Sequence, residues 1–287
     1  IAVSDLNFDG IDDFYVGGTK GYAGTLWLSK NNSWYNKNIT SFTEDSLYED
    51  SDAKFSDINR DGYLDILVAS GGGEFREGSK QLEDRVYLNS GENDFIRVSN
   101  NKFPMLNSSK IVEGDFNNDG FQDFFIGNRS VPGDYTVSGE SFFYKNHNGV
   151  LEVITNLEIP NSFGKVTGGV AIDIDKDGLL DLILSLEWDK IRVFRNLGDF
   201  KFTEATEELL EGPKGLWQSI SLYDIDIDGD LDIIAGNIGL NTRLETSRNH
   251  PLRIYWGDFN DDSRHETIVG VYKEGKYFPL ESYDNLT

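Results

Sequence analysis

Cysteine is absent from this 287-residue chain, so no disulfide framework, thiolate metal site or cysteine nucleophile is available. Histidine is scarce: His147 sits in an NHNG turn, His250 precedes Pro251, and His265 stands apart from both. None belongs to a nucleophile elbow or a zinc-ligand spacing. Positive charge is also scarce, with 26 Lys and Arg against 50 Asp and Glu, a formal net charge of −24. Such a chain is repelled by nucleic acid and by anionic membrane surfaces, and its natural partner is a cation. No run of 18 apolar residues occurs, so no membrane span is expected. No initiator methionine or targeting segment is visible, because Ile1 opens directly into "IAVSDLNFDG". The chain is therefore expected to be an excerpt of a longer protein.

What is abundant is acid in a fixed pattern. "SDINRDGYLDILVASGG" places Asp57, Asn59, Asp61 and Asp65 at relative positions 1, 3, 5 and 9, with Gly62 at position 6. The same pattern recurs in "SDLNFDGIDDFYVGG", "GDFNNDGFQDFFIGN", "IDIDKDGLLDLILS", "YDIDIDGDLDIIAGN" and "GDFNDDSRHETIVGV". The first acids of the six copies are Asp5, Asp57, Asp115, Asp173, Asp224 and Asp258, separated by 52, 58, 58, 51 and 34 residues. Periods of this size mark a repeat architecture, in which one domain buries its core between neighbouring units.

Within a repeat the apolar runs are short and carry no helical period. In the third, "KIVEGDF", "FQDFFIGN", "SFFYKN" and "VLEVIT" follow one another, rich in Val, Ile, Phe and Tyr and bounded by Gly, Asn and Asp. That is β-strand composition. Four antiparallel strands in about 50 residues make the blade of an all-β propeller. The expected blades are 1–51, 52–109, 110–165, 166–216, 217–250 and 251–287, with seven blades in the full parent.

The acidic loop joins the first two strands of each unit. A hard divalent cation takes six to eight oxygens at about 2.3–2.6 Å, and an alternating loop with a glycine turn can wrap them around it. Up to six calcium ions are expected. Positions 1, 3 and 5 offer side-chain oxygens, position 7 a backbone carbonyl and position 9 a carboxylate. The ligand sets are Asp5, Asn7, Asp9, Ile11 and Asp13; Asp57, Asn59, Asp61, Tyr63 and Asp65; Asp115, Asn117, Asp119, Phe121 and Asp123; Asp173, Asp175, Asp177, Leu179 and Asp181; and Asp224, Asp226, Asp228, Asp230 and Asp232. The sixth, Asp258, Asn260, Asp262, Arg264 and Glu266, departs from the pattern, with Ser263 in place of glycine and glutamate in place of the last aspartate. Magnesium is disfavoured by its demand for strict octahedral geometry. An isolated copy would read as an Asx turn, but six copies in register do not. An EF-hand needs flanking helices and a glutamate at position 12.

These motifs resemble the FG-GAP or VCBS-type repeats of integrin α-chain heads and of large secreted bacterial proteins. "YVGGTKGYAGTLWL", "ASGGGEFREGSKQLEDRVYLN", "GNRSVPGDY", "EWDKIRVFRN" and "GNIGLNTRL" are similar, more narrowly, to the propeller region of bacterial proteins that carry an ASPIC/UnbV-type module. The resemblance covers essentially the whole chain. It implies a calcium-bearing propeller, extracellular or on a bacterial cell surface, that serves binding or adhesion without established catalysis.

In an up-and-down blade the calcium loops share one face, and the long insertions Ser70–Asp84, Asn128–Glu140 and Gly236–Pro251 share the other. Long loops on a rigid scaffold are where ligands are read. Glu74, Arg76, Glu77, Glu83, Asp84 and Arg85 either read a polar ligand there or pair with one another across loops. Trp27 and Trp256 fit packing between blades, Trp34 carries no separate assignment, and Trp188 and Trp217 fall at strand ends on the insertion face. The acidic loops account for 20 of the 50 acids, and the rest show no general acid and base pair. The function expected is non-enzymatic binding of a protein or glycan through the insertion face. The alternative is a carbohydrate-active enzyme, a polysaccharide lyase or glycosidase, on the same scaffold.

Overall fold

A computed structural model describes residues 1–155, 163–238, 244, 246–259, 261 and 265–280. The architecture is all-β and built from repeated antiparallel meanders. The first sheet contains β1 (Ala2–Ser4), β2 (Asp13–Val16), β3 (Thr25–Lys30) and β4 (Ser33–Lys37). The second contains β5 (Asp50–Ser56), β6 (Asp65–Ser70), β7 (Arg85–Asn89) and β8 (Phe95–Val98). The third contains β9 (Ser108–Gly114), β10 (Asp123–Asn128), β11 (Phe142–Asn146) and β12 (Leu151–Val153). The fourth contains β13 (Lys165–Ile172), β14 (Asp181–Asp189), β15 (Arg192–Asn196) and β16 (Phe202–Glu204). The first three are four-stranded and paired in chain order, and the four strands of the fourth repeat pair in chain order within a six-stranded sheet.

The later repeats differ. Among the described residues the fifth contributes two strands, β17 (Gly215–Tyr223) and β18 (Asp232–Asn237), and the sixth three, β19 (Arg253–Gly257), β20 (Glu266–Lys273) and β21 (Lys276–Pro279). The start of β17 pairs with the end of β14, Leu216 opposite Glu187 and Gly215 opposite Asp189, so the fourth and fifth repeats share one hydrogen-bonded sheet. Helix is confined to two short segments, α1 (Thr40–Glu44) and α2 (Thr206–Leu209), and a 3-10 turn at Lys80–Leu82.

The second strands explain why their sequences are unbroken apolar runs. β6 turns Ile66 and Val68 to the first sheet and Leu67 and Ala69 to the third. β10 turns Phe124 and Ile126 to the second sheet and Phe125 to the fourth. β14 turns Leu182, Leu184 and Leu186 to the third sheet and Ile183 to the fifth. With both faces buried, side-chain alternation no longer produces polar alternation. The sheets therefore stack face to face in chain order, and their first strands lie side by side: β1 on β5, β5 on β9, β9 on β13, β13 on β17. Glycine lets these strands approach, since a Cβ on Gly169 of β13 would lie 2.6 Å from Val112 Cγ2 of β9. Among the described residues no helix is long and apolar enough to cross a membrane.

Candidate functional site

Each first strand ends in an acidic loop. In five loops the position-1 carboxylate accepts the N–H groups of positions 5 and 6, as Asp57 does from Asp61 (3.0 Å) and Gly62 (3.0 Å). Position 5 accepts the N–H of position 7, as in Asp61 to Tyr63 at 2.9 Å. These bonds need a tight turn. Position 4 (Phe8, Arg60, Asn118, Lys176, Ile227, Asp261) adopts φ between +56° and +62°, and Gly62 adopts +90°. A residue with a Cβ is disfavoured at that second angle, which is why position 6 is glycine.

Position 9 has a second task. Asp13, Asp65, Asp123 and Asp181 are fully buried, and each accepts the N–H of position 2 on one oxygen and a third-strand N–H on the other. Burial pushes Asp65 up to about 6 and Asp123 up to about 7, against the lowering effect of those N–H donors and with a further upward push from neighbouring loop carboxylates. Burial also raises Asp181. A dication bound beside them would reverse this. Asp232, at position 9 of the fifth loop, is exposed.

Two loops bring three carboxylates together: Asp173, Asp175 and Asp177, and Asp224, Asp226 and Asp232, in each case with one oxygen apiece within 4.8 Å of the others. Oxygens that share an ion at about 2.3–2.6 Å lie no more than about 5 Å apart, so this donor set fits a hard divalent cation. In the second and third loops the position-3 amide donates to position 5, Asn59 to Asp61 and Asn117 to Asp119, each at 3.0 Å. Of the sixth loop, Asn260, Asp262, Ser263 and Arg264 lie outside the described residues, while Glu266 accepts the Phe259 N–H at 2.8 Å as position 9 does elsewhere. Neighbouring loops also touch. Arg60 lies 4.0 Å over the Phe121 ring, Asn118 donates to the Gly178 carbonyl at 3.0 Å, and Lys176 pairs with Asp230 at 2.8 Å.

At the opposite end, where first strands begin and second strands finish, a cavity of about 620 Å³ opens among the second to fifth repeats. Seven to nine residues of strand, roughly 23–30 Å, separate it from the acidic loops. Behind its wall lies Glu187, buried, with Arg129 (3.0 and 2.6 Å), Tyr135 (2.9 Å) and Gln218 (3.1 Å) all donating to it. Burial pushes the Glu187 carboxyl up, but these donors outweigh it and hold it below the usual range.

The sequence pattern of the FG-GAP-like repeat matches residues 5–68, 57–126, 115–184 and 173–235. The chain belongs to the FG-GAP-like repeat family. This FG-GAP repeat chain is similar to the T-cell immunomodulatory protein homolog of Plasmodium falciparum, 26% identical over 136 residues, which is 43% of this chain and 18% of that protein. Cartilage acidic protein 1 of Homo sapiens is 28% identical over 139 residues, 45% of this chain and 19% of its own. The chain thus spans about a fifth of the length of these relatives. Among solved structures, a protein described as an exo-beta-1,3-galactanase from Bifidobacterium bifidum is 11% identical with a TM-score of 0.46, covering 99% of this chain and 91% of its own. Likeness at that level carries no functional argument.

The other residues singled out in this FG-GAP repeat chain divide. Asp84 and Arg85 are buried and structural: Asp84 accepts the Ser70 N–H (2.7 Å) and the Ser108 hydroxyl (3.0 Å), and Arg85 pairs with Asp50. Glu83 pairs with Arg97 and Glu74 with Lys20, so these four take partners elsewhere in the chain and not one another. Arg76 and Glu77 remain on the surface. Trp27 stacks on Phe14, whereas Trp34 and Trp256 are about half exposed; packing between sheets does not describe Trp256, which stands edge-on to His265. Trp217 packs on the core between the fourth and fifth repeats, and Trp188 donates to the Tyr135 hydroxyl at 2.9 Å. Sequence reasoning missed Glu187 and Gln218 altogether. It also missed the third-strand asparagines Asn89, Asn146 and Asn196, whose signal is an Asn two or three residues before a glycine.

Proposed function

We propose that the chain is a non-catalytic, calcium-stabilised β-propeller module, extracellular or displayed on a bacterial surface, that binds a protein or glycan through the face opposite its acidic loops. The blades are 1–51, 52–109, 110–165, 166–216, 217–250 and 251–287. The order of the stacked sheets and the lateral row of first strands support a propeller. The observation that carries the functional reading is that β13 and β17 each run from an open cavity to a loop where three carboxylates converge.

Calcium at the loops neutralises the clustered carboxylates and ties the hairpin ends together. The far ends are thereby held as a fixed platform for recognition. Among the described residues no carboxylate lines the cavity, and Glu187 behind it is ionised and saturated with donors, which leaves no proton-transfer pair. The test is to expose the calcium-loaded chain to a panel of polysaccharides and extracellular proteins, following both retention and the release of reducing ends or unsaturated products. Retention without product is expected, and product formation would sink the non-catalytic reading.

A further inference from the structure

We propose that the cavity at the head of the first strands is a subsite for one neutral sugar residue of a glycan, a claim that rests on the insertion face being the binding face. Its volume, about 620 Å³, lies within the usual range for small-molecule sites. The argument comes from which polar atoms are already spent. Arg129 gives Nε and Nη2 to Glu187, and its Nη1 makes no hydrogen bond among the described residues. Asn107 accepts the Gly72 N–H at 3.0 Å on its oxygen, which fixes the amide orientation and leaves Nδ2 to donate. Gln218 donates from Nε2 to Glu187, an acceptor-only carboxylate, and so keeps Oε1 as an acceptor. All three residues line the cavity.

These three side chains therefore leave two donor groups and an acceptor unspent, beside the Ser130 hydroxyl, which both donates and accepts. Ligand hydroxyl groups, which both donate and accept, match this set; a phosphate or carboxylate, which only accepts, leaves Gln218 Oε1 unmatched. Long-range charge points the same way. Arg129 pairs with Glu187 and the Lys165 ammonium lies 4.6 Å over the Tyr135 ring, so the charge beside the cavity is mixed, while a chain of net charge −24 repels anionic ligands from a distance. Tyr135, a lining residue beside Pro132, spends its hydroxyl by donating to Glu187 and accepting from Trp188, with Lys165 and Arg129 over its ring, so what it adds to the lining is apolar ring edge rather than a polar group. Apolar ring edge next to donors and an acceptor suits the C–H face and hydroxyls of a pyranose.

The wall is built for this. Consecutive residues of a regular strand point to opposite faces, yet Glu187 and Trp188 both reach the Tyr135 hydroxyl. The register shift there, with Trp188 at φ +65°, makes that possible, and a bulky residue seldom takes such a conformation. Glu187 is thus a positioning residue that locks Arg129, Tyr135 and Gln218 together.

The test uses the calcium-loaded chain with D-glucose, D-galactose and D-mannose at tens of millimolar, and with galacturonate as the anionic control, read by ligand-observed saturation-transfer NMR. At least one neutral sugar binds, and galacturonate does not compete. Asn107→Ala and Gln218→Ala, at half-buried and exposed positions, weaken it about three- to tenfold while both variants remain folded by circular dichroism. Glu187→Gln frees the Arg129 charge and shifts preference to galacturonate, a change that a merely structural role does not produce. Binding by galacturonate alone, affinity unmoved in both alanine variants, or no neutral-sugar signal would each overturn the inference. Absence of sugar binding leaves the protein-binding reading standing, whereas a sugar that binds and whose glycosides are cleaved upholds the subsite and overturns the non-catalytic reading.

Discussion

Asn196, at the end of β15, donates its side-chain N–H to the backbone carbonyl of Phe116, 80 residues earlier and one sheet away, at 2.8 Å. Phe116 is position 2 of the third acidic loop. Asn146 does the same one repeat earlier, donating to the Ile58 carbonyl at 2.8 Å. Each asparagine also accepts a glycine N–H in its own hairpin, Gly149 or Gly198, at 2.9 Å. One buried side chain therefore shapes its own turn and fastens the preceding loop. Replacing either by alanine orphans buried backbone groups, and the cost is expected to be about 2–3 kcal/mol. Urea denaturation checks this; a loss under about 1 kcal/mol for both variants refutes it.

Metal removal follows from the loops. With millimolar calcium and site constants near 10⁻⁴ M, each occupied loop contributes about 1–2 kcal/mol. Six ions would also halve the formal charge of −24. Excess EGTA is expected to lower the melting temperature by about ten degrees or more. An unchanged melting curve would remove calcium from the account of stability.

Positions 1 and 9 are expected to respond differently to chelation. Asp115 accepts the Asp119 and Gly120 N–H groups in the loop and is expected to face an ion, whereas Asp123 is buried and caps the Phe116 and Asn146 N–H groups. Asp115→Ala should cost most in calcium and little in EGTA. Asp123→Ala should destabilise in both, by about 2–4 kcal/mol, because two buried donors lose their acceptor. Melting curves of both variants with and without EGTA decide this, and equal behaviour counts against a dual role for position 9.

The repeat pattern and the acidic loops were legible because both are local. An acid at every second residue before a glycine dictates a turn, and an apolar run of six dictates a strand buried on both faces. Glu187 was not legible: its partners Arg129 and Gln218 lie 58 and 31 residues away, and only the packing of three repeats brings them together. The exposed Asp232 was equally hidden, since its motif keeps the same 1, 3, 5, 9 spacing as those whose last aspartate is buried. Strand pattern also gives no warning of a bulge, so the turn of Trp188 toward Tyr135 had no signature.

The loops should not be equivalent. Those beginning at Asp173 and Asp224 carry four carboxylates among their expected ligands, and in each of them three carboxylate oxygens already converge. Ligand charge raises affinity, so these two should empty last during calcium titration, and the loop from Asp258 first. Single position-1 Asp→Ala variants, followed by terbium luminescence, provide the check. Identical midpoints for all six would refute the ranking.

Burial raises the Asp84 carboxyl to about 7, with the Ser70 N–H and Ser108 hydroxyl offsetting part of the rise. The folded form thus binds a proton more tightly than the unfolded chain, whose Asp titrates near 3.9. The sign follows from linkage: between about pH 4 and 7 this group costs stability as pH rises, and above 7 the cost is constant. Asp84→Asn keeps the Ser70 contact and removes the charge. Its stability relative to the parent should grow from pH 4 to 7 and then level off, reaching a few kcal/mol at most. A difference that is flat with pH would show that Asp84 does not titrate in that window.

The pairing of β14 with β17 has a mechanical meaning. Between the first and second sheets a main-chain bond, from the Asp50 N–H to the Gly18 carbonyl at 3.0 Å, reaches a loop, but the fourth and fifth repeats are laced strand to strand at Glu187 and Asp189. Under tension applied at the chain ends, the first three should yield one at a time, each releasing a similar length of slack. The fourth and fifth should let go together in a single longer step, because pulling β17 away strips the edge from β14. The chain is a row of beads with one pair soldered, and that pair includes the buried carboxylate which holds the cavity wall in shape.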